Sequence, residues 1–355
     1  MTKRINALQK QIVKEGGTAM LVTRLSNIRW LCGFSGSAGI LLVTPKKAWF
    51  LSDFRYQTQA KEQVQGAEVI IYKKSAWAEF TSRKGMNAGA KLLVEGAYFT
   101  INQMHDAKKV WEKTEIIATS DVVDKLMAVK DEEEIALHKK AVAITDKVFN
   151  DILSLIKPGV RELDIALEIS YRHRKYGADG DSFEPIVASG WRGALPHGRA
   201  SEKKIKRGEL VTVDFGCYYH GYASDLTRTV AVGKVNAKQR EIYDIVWHAN
   251  SAAIKAARPG MKTAELDAVA RDLITAAGYG KEFGHGLGHG LGIDVHSWPR
   301  VSSLDPNTLQ EGMIFTIEPG IYIDGFGGVR IEDDVLLTAT GAKPLNKAPK
   351  ELIIL

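Results

Sequence analysis

The sequence predicts an α+β protein in which a smaller α/β domain, residues 1–122, precedes a larger duplicated domain, residues 127–355. Three observations predict this organisation. The chain of 355 residues exceeds one typical domain. Strand and helix patterns alternate over its first third, and its second half contains the same succession of motifs twice. A repeat of about a hundred residues indicates two similar halves that face each other across a shared cleft.

The first domain begins with a predicted amphipathic helix. Ile5, Leu8 and Ile12 share one face of it, and Gly16-Gly17 ends the pattern. Strands are predicted in TAMLVT, AGILLVT, KAWFLSD, AEVIIYK, KLLVEG and EIIAT, and further helices in RYQTQAKEQVQ and TINQMHDAKKVWEKT. This alternation is typical of an α/β domain, and the domain contains no P-loop and no GxGxxG motif after a strand. A long charged helix from about VKDEEEIALHKK then opens the second domain.

The second domain repeats its own motifs. Lys157-Pro158-Gly159 returns as Arg258-Pro259-Gly260, and Glu162-Leu163-Asp164 returns as Glu265-Leu266-Asp267. Further along, PHGRASEKKIKRGELVTVDFG matches VHSWPRVSSLDPNTLQEGMIFTIEPG. The alignment pairs His197 with His296, Gly208 with Gly312, Asp214 with Glu318, and Asp225 with Glu332.

Each copy ends in a predicted hairpin that carries two acids. A turn near Tyr219-His220-Gly221 would place Asp214 opposite Asp225, and a turn around residues 324–328 would do the same for Glu318 and Glu332. Acids directly opposed, with Cβ atoms about 4.5–5.5 Å apart, repel each other unless a cation lies between them. The alternative is two solvated surface hairpins. The apolar flanks favour buried strands, and these flanks are Val211, Val213, Phe215, Ile314, Phe315 and Ile317.

A fifth candidate ligand lies in FGHGLGHGLGIDVHSWP. Its alternate glycines argue against a helix, so His285 and His289 do not form a helical pair, and no HExxH motif is present. Four carboxylates and one imidazole form an oxygen-rich set that suits two Mn²⁺, Co²⁺, Fe²⁺ or Zn²⁺ ions. Two such ions can activate water and stabilise an oxyanion. The pattern therefore predicts hydrolysis.

Five segments, VDFG, SDLTRT, GHGLGHGLGIDVH, EPGIYI and GVRIEDD, resemble the ligand-bearing motifs of the pita-bread metallopeptidases. The chain is similar to the branch that contains aminopeptidase P and prolidase, most strongly from about residue 127 onward. The resemblance implies a pita-bread catalytic domain with two divalent ions per subunit, manganese first and cobalt, zinc or iron as alternatives. The implied metal ligands are Asp214, Asp225, His289, Glu318 and Glu332, with Asp225 and Glu332 bridging both ions.

The resemblance also implies roles for side chains around the metals. His197 and His296 would contact the substrate and stabilise the tetrahedral intermediate, and Glu318 would carry a proton to the leaving nitrogen. Arg330 would orient a ligand carboxylate. Tyr322 and His285 would lie in the substrate cleft. The implied reaction is hydrolysis of the first peptide bond of peptides with proline at the second position, a bond whose nitrogen carries no hydrogen.

Substrate length divides the two branch members. GFSGSAGILLV and FLSDFRY look more like aminopeptidase P, and on this resemblance we expect an aminopeptidase P rather than a prolidase. Arg300 in HSWPR instead resembles the prolidase arginine that holds the free carboxylate of an Xaa-Pro dipeptide, or it is an exposed arginine without a role. More remote alternatives are a methionine aminopeptidase, a creatine amidinohydrolase and a non-enzymatic binding module.

Composition excludes several other classes. The formal charge of +6 comes without an aromatic-interleaved basic patch, so no nucleic-acid partner is expected. No run approaches the ~18 apolar residues that span a bilayer, and no signal-peptide core is present. Two distant cysteines, Cys32 and Cys217, are typical of a reducing compartment. We therefore expect a cytoplasmic protein without a membrane partner, and a homodimer supported by the first domain.

Overall fold

The computed structural model describes residues 2–83, 86–87 and 90–355. Two compact units make up the chain, residues 1–127 and 128–355. None of the described helices combines the length and the apolar character that crossing a membrane requires. Cys32 and Cys217 are both buried free thiols.

A mixed sheet forms the centre of the first unit. Its strands are β1 Ala19–Val22, β2 Ile40–Val43, β3 Ala48–Ser52, β4 Glu68–Ile71, β5 Lys91–Glu95 and β6 Glu115–Thr119. Their order is β4-β3-β2-β1-β5-β6, in which β2 runs antiparallel to β1 and β3 and the other pairs are parallel. The six predicted strands are thus confirmed, with apolar central strands that are buried and edge strands that are partly exposed.

Helices flank this sheet. They are α1 Thr2–Lys14, α2 Leu25–Cys32, α3 Gln57–Gln63, α4 Ala76–Ser82, α5 Ile101–Val110 and α6 Val122–Ala128. The predicted helices are confirmed by α1, α3 and α5, and α1 buries Ile5, Leu8 and Ile12 on one face. The sequence pattern does not predict α2 or α4. Five of the eight residues of α2 are buried, so its sequence lacks the polar and apolar alternation that identifies a surface helix.

The second unit contains two pairs of packed helices. These are α7 Glu132–Ile152 with α8 Glu162–Lys175, and α9 Ala237–Ala256 with α10 Thr263–Ala276. Its strands are β7 Gly180–Asp181, β8 Ile186–Ser189, β9 Glu209–Phe215, β10 Cys217–Tyr219, β11 Tyr222–Ala223, β12 Leu226–Val232, β13 Gly288–Gly290, β14 Ser297–Val301, β15 Ile314–Ile317, β16 Gly320–Ile323, β17 Gly327–Arg330, β18 Asp333–Thr338 and β19 Gly341–Pro344.

Antiparallel sheets complete each half of this unit. The first half has the order β8-β9-β12, and the second has β14-β13-β15-β18-β19 with the separate hairpin β16-β17. A separate short sheet, β7-β10-β11, is formed by β7, which precedes β8 in sequence, and by β10 and β11, which lie between β9 and β12 in sequence. The succession of a long helix, a second helix and an antiparallel sheet thus occurs twice. The duplicated α+β architecture that the sequence predicts is confirmed.

The backbone supports most of the predicted repeat. Gly208 before β9 and Gly312 before β15 have φ angles of +81° and +86°, the left-handed conformation that glycine adopts without strain. One part of the alignment is wrong. Glu162 is the first residue of α8, whereas Glu265 lies in the first turn of α10, which begins two residues earlier at Thr263. When α8 and α10 are aligned from their first residues, the two identical Glu-Leu-Asp triplets are therefore offset by two positions.

The strands that carry the predicted acids are buried. The six flanking residues Val211, Val213, Phe215, Ile314, Phe315 and Ile317 are each 0% exposed. Val211, Val213 and Phe215 belong to an apolar cluster packed against α7 and α8, and Phe315 and Ile317 to one packed against α9 and α10. Ile314 packs in a smaller third cluster with Ala223 and Leu291. This burial removes the alternative of two solvated surface hairpins.

Candidate active site

The five predicted metal ligands all belong to the antiparallel strands of the second unit or to the residues next to them. Asp214 lies in β9, Asp225 directly before β12, and His289 in β13. Glu318 directly follows β15, and Glu332 lies between β17 and β18.

The second hairpin has the pairing that the sequence predicts. β15 pairs Ile317 with Asp333, and β16 pairs Gly320 with Arg330. The same register places Glu318 opposite Glu332, at the point where the chain passes from one ladder to the next. The turn follows Ile323, within the predicted segment.

The first hairpin differs from the prediction. β9 pairs Asp214 with Thr227, so Asp225 is not directly opposite Asp214 but two residues further along the partner strand. The chain leaves this ladder at Gly216 and forms the separate hairpin β10-β11, whose turn includes His220 at φ +47°. A Cβ atom on Gly216 would lie 1.8 Å from the carbonyl oxygen of Ser224, so this approach requires glycine. The offset of two keeps Asp225 on the same face as Asp214.

The carboxylates form one buried, mutually repelling cluster. Burial raises the pKa of Asp225 well above its usual value, and the charges of Glu332 and Asp214 raise it further. Burial likewise raises the pKa of Glu332, with Glu318 and Asp214 adding to the shift. Burial raises the pKa of Glu318 to about 8. Ligand atoms of Asp225, His289 and Glu332 lie within 4.8 Å of one another, which is the spacing of a metal site.

His289 presents one ring nitrogen to these acids. Its Nε2 lies 3.3 Å from Oε1 of Glu318 and 3.8 Å from Oδ2 of Asp225. Its Nδ1 lies 3.2 Å from the carbonyl oxygen of Gly290, so Nδ1 carries the hydrogen and donates it there. Burial lowers the pKa of His289 to about 3, and the nearby His296 lowers it further. The ring is therefore neutral, with the lone pair of Nε2 directed at the cluster.

Unpaired buried oxygens indicate that a cation belongs here. Oδ1 of Asp214 and Oδ1 of Asp225 are buried and receive no hydrogen bond from any described residue. A buried acceptor without a partner costs about 1–3 kcal/mol, and more when it is charged. Divalent cations would supply the missing partner, and an oxygen-rich donor set with one imidazole suits them. The residues present therefore fit the predicted metal ions.

Arg330 links Asp214 to Tyr322 and His285. Its Nη2 donates to Oδ2 of Asp214 at 2.5 Å, and its Nη1 donates to the Tyr322 hydroxyl at 2.8 Å. That hydroxyl lies 2.9 Å from Nε2 of His285, whose Nδ1 lies 2.8 Å from the carbonyl oxygen of Gly286. Burial lowers the pKa of His285 to about 4, so the neutral ring accepts from the Tyr322 hydroxyl. Arg330, Tyr322 and His285 thus form a chain that fixes one oxygen of Asp214.

Two threonines that the sequence analysis did not single out also hold the acids. The Thr227 hydroxyl donates to Oε2 of Glu332 at 2.6 Å and accepts from Nε of Arg330 at 3.1 Å. The Thr316 hydroxyl donates to Oε1 of Glu318 at 3.2 Å and accepts from the backbone N–H of His289. Thr227 could have been found, because it lies two residues after Asp225 at the start of a predicted strand and shares its face.

Glycines allow β13 to lie between its two neighbours. A Cβ atom on Gly288 would lie 2.1 Å from the carbonyl oxygen of Thr316, and one on Gly290 would lie 2.2 Å from that of Trp298. Both distances are too short for any side chain. The close approach that alternate glycines predict is therefore present, and it brings His289 up to the strand that precedes Glu318.

His197 and His296, the two histidines predicted to line the cleft, are exposed. The His296 ring lies 4.3 Å from that of His289, centre to centre. Burial lowers the pKa of His296, and the charge of His197 lowers it further. His197 also lowers the pKa of His285, so all three rings lie close enough to influence one another.

A buried acid at the start of α8 holds the loop that carries His197. Oε1 of Glu162 accepts hydrogen bonds from the backbone and hydroxyl of Ser189 at 2.7 and 2.8 Å. Its Oε2 accepts from Nε of Arg192 at 2.9 Å and from the Ser201 hydroxyl at 2.6 Å. The loop is thus fixed on both sides of His197.

A second buried acid, on α10, holds the loop that carries His285. Oδ1 of Asp267 accepts from the backbone N–H of Leu287 at 3.0 Å, and its carboxylate pairs with Arg271 at 2.6 Å. Arg271 in turn donates to the carbonyl oxygens of Phe283 and His285. These contacts fix the glycine-rich segment on both sides of His285.

Arg300 lies beside the cluster in the sheet. β14 pairs it with His289, so the two side chains leave the strands on the same face. The Arg300 side chain is exposed.

Two families match the chain. Metallopeptidase family M24 matches residues 136–339, and the creatinase/prolidase N-terminal domain matches residues 4–129.

Relatives resemble the chain over nearly its full length. A protein named Xaa-Pro dipeptidase from Pyrococcus horikoshii is 39% identical over 99% of both chains. The solved structure of an Xaa-Pro dipeptidase from Bacillus anthracis is 42% identical, with a TM-score of 0.96 over 99% of both chains. The X-Pro aminopeptidase from Thermotoga maritima is 34% identical, with a TM-score of 0.87 over 98% of this chain and 100% of that one.

Proposed function

Because this chain belongs to metallopeptidase family M24, we propose that it is an Xaa-Pro dipeptidase that uses two divalent metal ions. The observation that carries the proposal is full-length similarity to proteins named Xaa-Pro dipeptidase, together with a site of four acids and one imidazole. These relatives favour the dipeptidase alternative over aminopeptidase P, the expectation drawn from the motifs of the first domain.

In this proposal, Asp214, Asp225, His289, Glu318 and Glu332 would hold the ions, and Asp225 and Glu332 would be shared between them. Bound ions supply an activated water at neutral pH and stabilise negative charge on the carbonyl oxygen. Manganese is our first candidate, with cobalt, zinc or iron as alternatives.

The chain's own residues supply proton transfer and orientation. Glu318 takes the proton of the attacking water on its carboxylate and delivers it to the proline nitrogen as the peptide bond breaks. His296 and His197 donate to the carbonyl oxygen as it gains charge. Arg330, Tyr322 and His285 keep the Asp214 carboxylate in place.

Arg300 would select the dipeptide. A guanidinium on the same face as His289 can bind the free carboxylate of Xaa-Pro, which a longer peptide does not present at that position. Specificity for dipeptides would then depend on one charged contact.

The test compares an Xaa-Pro dipeptide with the corresponding Xaa-Pro-Yaa tripeptide on the manganese-loaded chain. We expect the dipeptide to be cleaved faster and Arg300→Ala to raise KM for it by about tenfold or more, since a charged hydrogen bond contributes about 1.5–3 kcal/mol. Arg207→Ala, which changes another exposed arginine, is the matched control. No release of the first residue from either peptide would refute the peptidase assignment.

Aminopeptidase P is the second candidate, because the Thermotoga maritima X-Pro aminopeptidase is also similar over nearly the whole chain. Faster cleavage of the tripeptide, unaffected by Arg300→Ala, would favour it. The homodimer and the cytoplasmic location remain predictions from the sequence, and the molar mass in solution would test the first of them.

A further inference from the structure

A buried arginine connects the segment Asn346–Lys350 to the backbone of a predicted ligand. Arg228 is 1% exposed, and its Nη1 donates to the carbonyl oxygen of Glu332 at 2.5 Å. Its Nη2 donates to Oδ1 of Asp333 at 2.9 Å and to the carbonyl oxygen of Ala348 at 2.8 Å, and its Nε donates to that of Pro349 at 2.9 Å. One side chain therefore joins the segment to Glu332.

A lysine of the same segment reaches both halves of the second hairpin. Nζ of Lys350 lies 2.7 Å from Oδ2 of Asp333 and donates to Oδ1 of Asn250 at 3.1 Å. Nδ2 of Asn250 donates to the carbonyl oxygens of Ile317 at 2.9 Å and Ile331 at 3.3 Å. These two residues directly precede Glu318 and Glu332, so the contact fixes the backbone of two opposed acids at once.

The segment also reaches the first hairpin. Oδ1 of Asn346 accepts from the backbone N–H of Asp334 at 2.7 Å, and Oδ2 of Asp334 accepts from the backbone N–H of Asp225 at 3.0 Å. The three connections therefore end on Asp225 of the first hairpin and on Glu318 and Glu332 of the second.

We propose that the segment Asn346–Lys350 holds Glu318 and Glu332 of the second hairpin in place beside Asp225 of the first, and thereby sets the affinity of the site for divalent ions. Lys350 and Asn250 are positioning residues in this proposal, because they touch only the backbone and the neighbours of the predicted ligands. The acids repel one another when no cation is bound, so the site needs support that does not itself neutralise their charge. The inference rests on the proposed metal site but not on the identity of the peptide substrate.

Calorimetric titration of the metal-free full chain with Mn²⁺ tests the proposal. Lys350→Met removes the ammonium group and keeps an unbranched side chain, and we expect Mn²⁺ affinity to fall about 10–100-fold, as for other outer partners of metal ligands. Lys350→Arg restores a cation and should recover most of the affinity. Lys347→Met makes the same change at an exposed lysine of this segment and should stay within about twofold of the unchanged chain.

A second variant approaches the same contact from the other side. Asn250→Leu removes the donor to Ile317 and Ile331 and should also weaken Mn²⁺ binding. Combined with Lys350→Met, it should cost less than the sum of the two single changes, because both break one connection.

Circular dichroism and thermal unfolding of the metal-free variants separate positioning from folding. Folded Lys350→Met and Asn250→Leu chains with Mn²⁺ affinity within about twofold of the unchanged protein would overturn the proposal. Failure of both variants to fold would also overturn the proposal, since the contacts would then serve folding alone. If only one variant folds, its Mn²⁺ affinity decides whether the proposal holds. An unchanged chain that binds Mn²⁺ but cleaves no Xaa-Pro peptide would refute the proposed function and leave this inference standing.

Discussion

At the scale of single residues, several predicted ligands use one polar atom for a contact with the protein and leave another for a metal ion. Asp214 gives Oδ2 to Arg330, Glu332 gives Oε2 to Thr227, and His289 directs Nδ1 at a carbonyl oxygen. The remaining atoms, including the unpaired Oδ1 of Asp214 and of Asp225, are left for cations. Asp214, Glu332 and His289 are thus oriented by contacts within the protein.

Replacement of Asp225 by asparagine tests the bridging assignment. Loss of an outer partner of a metal ligand costs about 10–100-fold. We expect turnover of an Xaa-Pro dipeptide to fall by more than this, because the change weakens a side chain assigned as a ligand of both ions. Glu332→Gln should behave alike. Asp324→Asn changes an exposed acid in the turn of the second hairpin and should leave the rate unchanged. Initial rates and bound metal would be measured together, and a fully active Asp225→Asn chain would show that the assignment is wrong.

Thr227→Val tests whether the Thr227 hydroxyl holds Glu332 in place. The substitution nearly preserves the shape of the side chain. The variant loses the hydroxyl that donates to Oε2 of Glu332 and accepts from Arg330, so we expect about a 10-fold loss of Mn²⁺ affinity. Thr212→Val is the control, because that hydroxyl contacts only the Thr229 hydroxyl among the hydrogen bonds described. Equal Mn²⁺ affinity in the two variants would contradict the role given to Thr227.

Residue identity was more predictable than residue contact. The five candidate ligands could be proposed from motifs and an internal repeat, but the side chains that orient them could not. Thr227, for example, contacts Glu332 across 105 positions of sequence. The offset of Asp225 also escaped prediction, because the departure of the chain from the ladder at Gly216 has no signature beyond a single glycine.

At the scale of elements, β13 depends on glycine to reach its neighbours. Gly288→Ala would force a Cβ atom to within 2.1 Å of the Thr316 carbonyl oxygen, so we expect a loss of about 1–3 kcal/mol in the free energy of unfolding. Gly284→Ala has no atom within 4 Å of the added Cβ and should change stability by less than about 0.5 kcal/mol. Urea unfolding measures the free energy of unfolding of both variants. Equal values would show that β13 can move away from β15 to make room for the added Cβ atom.

Strands were predicted better than short helices and loop anchors. The strands of the first unit contain continuous apolar runs, whereas α2 is buried on most sides and lacks a helical pattern. The anchors of the histidine loops are single acids. Glu162 acts on residues 27 to 39 positions away, a distance at which a lone sequence gives no signal of contact.

At the scale of the whole molecule, stability should depend on pH in a way that metal reverses. In the metal-free fold, burial raises the pKa of Asp225 and Glu332 and raises that of Glu318 to about 8. The folded state then binds more protons than the unfolded state, so this stabilisation is complete below the unfolded pKa of 4.5 and is lost as pH rises to about 8.

The clearest window lies between pH 6.5 and pH 8. The buried histidines have lowered pKa values and stay neutral when folded, so above their unfolded pKa of 6.5 they contribute little further change. We expect the thermal midpoint of chelator-treated protein to fall across this window, and the slope to shrink in Glu318→Gln. Added Mn²⁺ should reverse the trend, because protons compete with metal for the acids. A midpoint that rises without metal would contradict the buried-acid account.

The family, the enzyme class and the duplicated fold were accessible from sequence, and the matches over residues 136–339 and 4–129 confirm the predicted family. The repeat was visible because both halves retain the glycines and acids that their hairpins need. Substrate length was not accessible, since it depends on Arg300 and on which chemical group its exposed side chain meets.

Anomalous scattering from a crystal of the manganese-loaded protein tests the central claim most directly. The account predicts two manganese peaks, both bound by oxygen or nitrogen atoms of Asp214, Asp225, His289, Glu318 and Glu332. A single peak away from these side chains, or none at saturating Mn²⁺, would contradict it.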